Sequence, residues 1–124
     1  MSPRASQALF TTLLAATTLA AKACGVCLED KVAATYDHAL VQRAMEQHRV
    51  VVFAEPRTSN DAAGLKAYAA AAARAPGVEA ATVRTSAAPQ SVSFVLDPKR
   101  ASPGATLALL HLDLLKVIDR AESK

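Results

Sequence analysis

Along residues 28–47 the apolar positions Leu28, Val32, Tyr36, Leu40 and Ala44 recur at steps of four, and Asp30, Asp37, Arg43 and Glu46 fall on the opposite side. That spacing is the stripe of an amphipathic helix. Neither Pro nor Gly interrupts it, so one helix is predicted across the whole segment. The pattern then changes. Arg49-Val50-Val51-Val52-Phe53-Ala54 is a continuous, largely β-branched run closed by Glu55-Pro56, which reads as a strand buried on both faces. Thr58, Ser59, Asn60 and Asp61 supply capping side chains ahead of an Ala-rich helix at 62–75, which Pro76-Gly77 ends.

Two further strands are predicted at 78–85 and 91–97. In the second, Val92, Phe94 and Leu96 alternate with Ser91, Ser93 and Val95. The connection 86–90 is short enough for a hairpin, and Pro89 within it argues against a two-residue turn. Ser102 followed by Pro103 marks a helix start, an N-cap and then a first helical position. Leu107, Leu110, Leu114, Val117 and Ile118 give this last helix its stripe, widened by Leu109, Leu112 and Leu115. The predicted order is helix, then β-α-β-β-α: an α/β (α+β) fold on a three-stranded sheet. With three strands one edge lies open, which invites pairing with a protein partner or a second copy of the chain.

Residues 1–23 have a different character. Arg4 gives a basic start, 8–21 carry no charge, and Ala21-Lys22-Ala23 places small residues at −3 and −1 of a cut before Cys24. This is the three-part pattern of a secretory signal peptide. Its apolar run is shorter than the roughly 20 residues a membrane span needs. The expectation is a periplasmic or secreted protein with a signal peptide at 1–23 and a single domain at 24–124, and no membrane span in the mature chain.

The chain has 124 residues, 52% of them hydrophobic, with a formal net charge of +3. That is one domain, too apolar for a disordered chain and far short of the roughly 250 residues of a (β/α)₈ barrel. Arg4 and Lys22 leave with the leader, so the mature chain is close to neutral. No Lys/Arg cluster with interleaved aromatics exists, and nucleic acid is excluded as a partner.

Pro76-Gly77-Val78, Ala81 and Val83, Val92 and Phe94, Asp97-Pro98 and Ser102-Pro103 together resemble the second half of a heavy-metal-associated domain, over residues 48–115. The resemblance implies a ferredoxin-like core, here βαββα with an extra N-terminal helix at 28–47. That family carries a metal-binding Cys-x-x-Cys on the loop after strand one. The corresponding residues 55–61 hold no soft ligand, nothing after Ile118 reads as a fourth strand, and the Cys-x-x-Cys of this chain stands at Cys24 and Cys27 instead.

Cys24-Gly25-Val26-Cys27 is the one cluster of reactive side chains. Two thiolates near a helix start, where the helix dipole lowers a thiol pKa, form a soft site suited to Cu(I) or Zn(II). A cut before Cys24 adds a free α-amine to the same residue. A closed zinc site takes four ligands, and this donor set is short of that, which favours Cu(I). His38 lies eleven residues beyond Cys27, about 16 Å along an unbroken helix, and is set aside as a ligand; His48 is farther along, and His111 sits among leucines of the last helix. Two other readings of the pair stand beside this one. Cys-Gly-x-Cys is similar to the thiol-disulfide exchange motif of thioredoxin-like proteins, although no strand leads into it here. A local disulfide formed in an oxidising compartment in a partner-binding structural module is the other. Leu28 in place of His after Cys27 excludes haem attachment. No phosphate loop or nucleophile elbow is present. The reading is a non-enzymatic, soft-metal-binding protein of metal trafficking or resistance, with Cys24 and Cys27 as ligands.

Overall fold

Strand β1 (Val50–Pro56) runs through the middle of the molecule because its side chains are apolar on both sides. The computed structural model describes residues 28–58 and 60–120. Ahead of β1 lie two short helices, α1 (Leu28–Ala33) and α2 (His38–Glu46). After it come α3 (Ala62–Arg74), a 3₁₀ turn (Ala80–Thr82), β2 (Arg84–Ala87), β3 (Gln90–Leu96), α4 (Pro103–Leu110) and β4 (Leu112–Ile118). The result is an α+β fold. Its four strands lie in the order β2-β3-β1-β4, antiparallel at every pairing.

The pleat divides β1 and β3 between two apolar layers. Val50, Val52, Ala54, Val92, Phe94 and Leu96 pack against Ala72 of α3 and Leu107 and Leu110 of α4. On the other face Val51, Phe53 and Val95 meet Leu40, Val41 and Ala44 of α2, with Val32 of α1 alongside. The N-terminal helices thus cover the second face of the sheet. Three ion pairs cross from this arm to the sheet side, Lys31–Glu55 at 2.7 Å, Arg84–Asp37 at 2.7 Å and Arg43–Glu79 at 4.0 Å. Partly exposed pairs are each worth about 0–1 kcal/mol, whereas burying a Leu, Val or Phe side chain contributes about 1.5–3 kcal/mol. Apolar packing therefore holds the arm down, and the charges fix its position.

Three expectations are corrected. The helix predicted at 28–47 is two helices: Asp37 adopts extended backbone and accepts a hydrogen bond from the Leu40 amide at 3.2 Å, capping α2 anew. The stripe breaks with it, so that Leu28 and Tyr36 are exposed. The last helix stops at Leu110, where His111 turns left-handed with φ 55°, a region in which His is enriched among non-glycine residues. The leucines beyond it form the fourth strand, β4, paired to β1, and the sheet is therefore not three-stranded. β4 takes the edge of β1, and the outer strands of the sheet are β2 and β4. Finally, the strand predicted from residue 78 begins at Arg84, after the 3₁₀ turn, and its hairpin to β3 is closed by the two residues Ala88 and Pro89, joined by a cis peptide bond.

The other boundaries follow local chemistry. Asp61 caps α3 through the Gly64 amide at 2.8 Å, and Ser102 caps α4 through the Ala105 amide at 3.1 Å, with Pro103 opening the helix. Gly77 takes φ +81° beyond α3, and a Cβ there would stand 3.2 Å from Leu96 Cδ1. Only glycine suits that turn.

Candidate functional site

Cys24 and Cys27 lie outside the described residues. α1 starts at Leu28, the next residue in the chain, and what surrounds that start is well defined. Leu28, Glu29, Val32 and Ala33 of α1, with Tyr36 and Lys116, line a lobe of about 290 Å³. A second lobe, about 510 Å³, is lined by Tyr36, His38, Val41, Gln42, Met45, Glu46, Lys116 and Ile118. Tyr36 and Lys116 belong to both. The two lobes lie along the groove between the N-terminal helices and β4, Leu28 lining one and His38 the other.

Each wall has a local cause. The break at Thr35–Asp37 turns the chain, so that α2 does not continue the line of α1. Tyr36 sits in that break with its ring stacked on Phe53, centroids 6.3 Å apart and planes at 16°. Its hydroxyl lies 3.4 Å from His38 Nδ1. Lys116 comes from β4, where the pairing with β1 slips between Phe53 and Ala54. Partners on β4 pass from Lys116 to Leu114, so Leu115 is the extra residue of a bulge. Leu115 packs against the second apolar layer, and Lys116 faces the groove.

Asp37 fixes where α2, and therefore His38, begins. The Leu40 amide bonded to its carboxylate is the main influence; it outweighs partial desolvation and, with the Arg84 guanidinium, holds the Asp37 carboxyl below its ordinary value of 3.8. A carboxyl lowered on folding stabilises the native state above its unfolded value, and that contribution is lost as pH falls through the folded one. Asp37→Asn is accordingly expected to flatten the loss of stability on the acid side, from about pH 5 downward, with little change in that slope near neutrality. Urea unfolding of both proteins across that range checks it.

The three histidines separate clearly. His38 is exposed at the start of α2. His48 has φ 58° and its Nδ1 lies 3.0 Å from Arg120 Nη1; a guanidinium only donates, so that nitrogen accepts and is occupied. His111 terminates α4, exposed and away from the groove. The argument that set His38 aside assumed an unbroken helix from Cys27, and that helix does not exist. Sequence reasoning also missed Lys116, assigned to a helix, and Tyr36, assigned to an apolar stripe. An Asp immediately ahead of His38-Ala39-Leu40 was the available signal for a new helix start.

Among the described residues no three His, Cys, Asp or Glu side chains cluster as a metal site, and no helix is long and apolar enough to cross a membrane. Comparison with known proteins finds no matching family model, no matching curated protein and no matching solved structure.

Proposed function

We propose that this chain is an exported, non-enzymatic carrier of a soft metal ion, Cu(I) in preference to Zn(II), held by Cys24 and Cys27 at the head of a ferredoxin-like domain. The observation that carries the proposal is the Cys-Gly-Val-Cys sequence directly ahead of α1, behind a stretch with the features of a cleaved leader. Two thiolates and the α-amine freed by a cut before Cys24 are soft to intermediate donors. They suit Cu(I) at low coordination number and fall short of the four ligands of a closed zinc site. The ion is cargo, and the protein's part is to present the donors and shield them.

The ferredoxin-like reading draws support from the order β-α-β-β-α-β after α2 and from the strand order β2-β3-β1-β4, the arrangement of a split βαβ fold. On that reading the additional element is the α1–α2 arm, which covers the sheet face opposite α3 and α4. The cysteine pair joins this arm, which explains why a Cys-x-x-Cys is not needed on the loop after β1.

The test is competition for Cu(I) between the reduced, exported protein and a chromophoric Cu(I) chelator. Withdrawal of one equivalent from the chelator is expected. Failure to withdraw any overturns the proposal.

A further inference from the structure

We propose that β4 is the seam of a homodimer, in which two copies of the chain pair their β4 strands antiparallel about a two-fold axis at Leu114. The inference is independent of the metal reading. It starts from the sheet. β4 is an outer strand of 7 residues, and among the described residues no strand pairs with the side turned away from β1. Such an edge presents a row of backbone groups that a further strand can take up. Beside it stands an apolar surface that no described residue covers. Leu114 is 53% exposed and Leu109, on α4, 61%. α4 has no charged side chain, and its one polar side chain, Thr106, is buried and donates back to the Ser102 carbonyl. Gly104, Ala105, Ala108 and Leu109 are left on the solvent side of the helix, whereas a helix apolar all round is normally enclosed. α4 packs on β4, and His111 alone separates the two in the chain.

The order of charges along β4 identifies the occupant as a second copy. Residues opposite one another in an antiparallel pair share a face of the sheet. Leu114 stands opposite Ala54 and Val117 opposite Val52, on the face of α3 and α4. Asp113 stands opposite Glu55 and Lys116 opposite Phe53, on the other face. Leu115, the extra residue of the bulge, shares with Lys116 the place opposite Phe53. Across a two-fold axis at Leu114, therefore, each Leu114 meets its counterpart and Leu112 meets Val117. Asp113 then faces Lys116 of the second copy, once on each side of the axis. Every such pair lies on one face, and every charge finds the opposite sign. Moving the axis to Asp113 or Lys116 sets like charges face to face, which opposes pairing. An edge lysine and a bulge ordinarily keep foreign strands away, and in this register alone the lysine is answered. The same axis brings α4 of both copies to one side of the seam, where Leu109 and Leu114 lose contact with water.

The test is sedimentation of the exported protein over a concentration series, metal-free and under reductant so that no disulfide-linked pair contributes. A reversible dimer is expected. Leu114→Lys is expected to return the protein to monomer over the same series. Asp113→Lys, which replaces two attractive pairs with two repulsive ones, weakens self-association by about tenfold. Adding Lys116→Asp to it restores the parent value to within about threefold, the signature of direct coupling. These side chains are exposed, and an unchanged amide spectrum verifies the fold of each variant. Hydrogen exchange gives a second reading: the β4 amides that point away from β1 are slow in the dimer and fast in Leu114→Lys. A protein that stays monomeric into the millimolar range overturns the proposal. So does a dimer indifferent to Leu114→Lys, which pairs through another surface, and so do β4 amides that stay slow in a monomer, which place a different segment on this edge.

Discussion

Replacing Phe94 with Ala is expected to lower the unfolding free energy by about 3–5 kcal/mol. Phe94 is fully buried at the centre of β3, opposite Val52, in the layer roofed by α3 and α4. The roof determines the size of the effect. Only Leu65 and Ala72 of α3 are buried, and most of the α3 side chains are alanines, which are too short to swing into a space left by a phenyl ring. A cavity that its surroundings cannot collapse retains the full cost of lost contacts. Domains of this size are stable by about 5–15 kcal/mol, so the variant sits near the margin of folding. Urea unfolding with an unchanged m-value is the check. Phe94→Leu, which keeps most of the volume, is expected to lose less than about 1.5 kcal/mol. A loss below about 1 kcal/mol for Phe94→Ala contradicts the packing described for this face.

Cys24→Ser and Cys27→Ser are each expected to weaken Cu(I) binding at least about a hundredfold, or ~2.7 kcal/mol, and the double variant to abolish it. The serine hydroxyl is a hard, protonated oxygen with little affinity for a soft ion, and no other thiol exists in the chain, since these are the only two cysteines. Thermal unfolding of the metal-free variants is expected to match that of the parent. Both apolar layers are built from residues 32–118, so the substitutions lie outside the core. A variant that keeps full affinity removes that cysteine from the ligand set.

What the sequence made legible follows a physical division. β1 and β3 could be read because their chemistry admits one outcome: β-branched runs, alternation and flanking breakers agree. α3 and α4 could be located because Asp61, Ser102 and Pro103 are strong local punctuation. Residues 107–118 misled because the leucine-rich run LALLHLDLLKVI fits a helical stripe and a strand equally well. The decision came from His111 entering the left-handed region and from β1, whose free edge took up Leu112–Ile118. Residues 28–47 misled in a similar way. A stripe at steps of four ran through Tyr36, yet the capping carboxylate of Asp37 and its pair with Arg84 on β2 favoured two helices over one.

The candidate site divides along the same line. The cysteine pair is a local motif, visible at once as spacing. The groove is not local: Tyr36 comes from a helix break, His38 from the helix after it and Lys116 from a strand near the far end of the chain, placed by a bulge. No periodicity in the sequence announces such a meeting, because it depends on which face of the sheet the arm covers.

Native mass spectrometry of the exported protein, with thiol alkylation before and after copper removal, bears most directly on the soft-metal assignment. The predicted species begins at Cys24, carries one copper ion, resists alkylation while loaded and accepts two alkyl groups once stripped. A chain that carries no copper and is alkylated only after reduction, or one that has lost Cys24 and Cys27 altogether, contradicts the account.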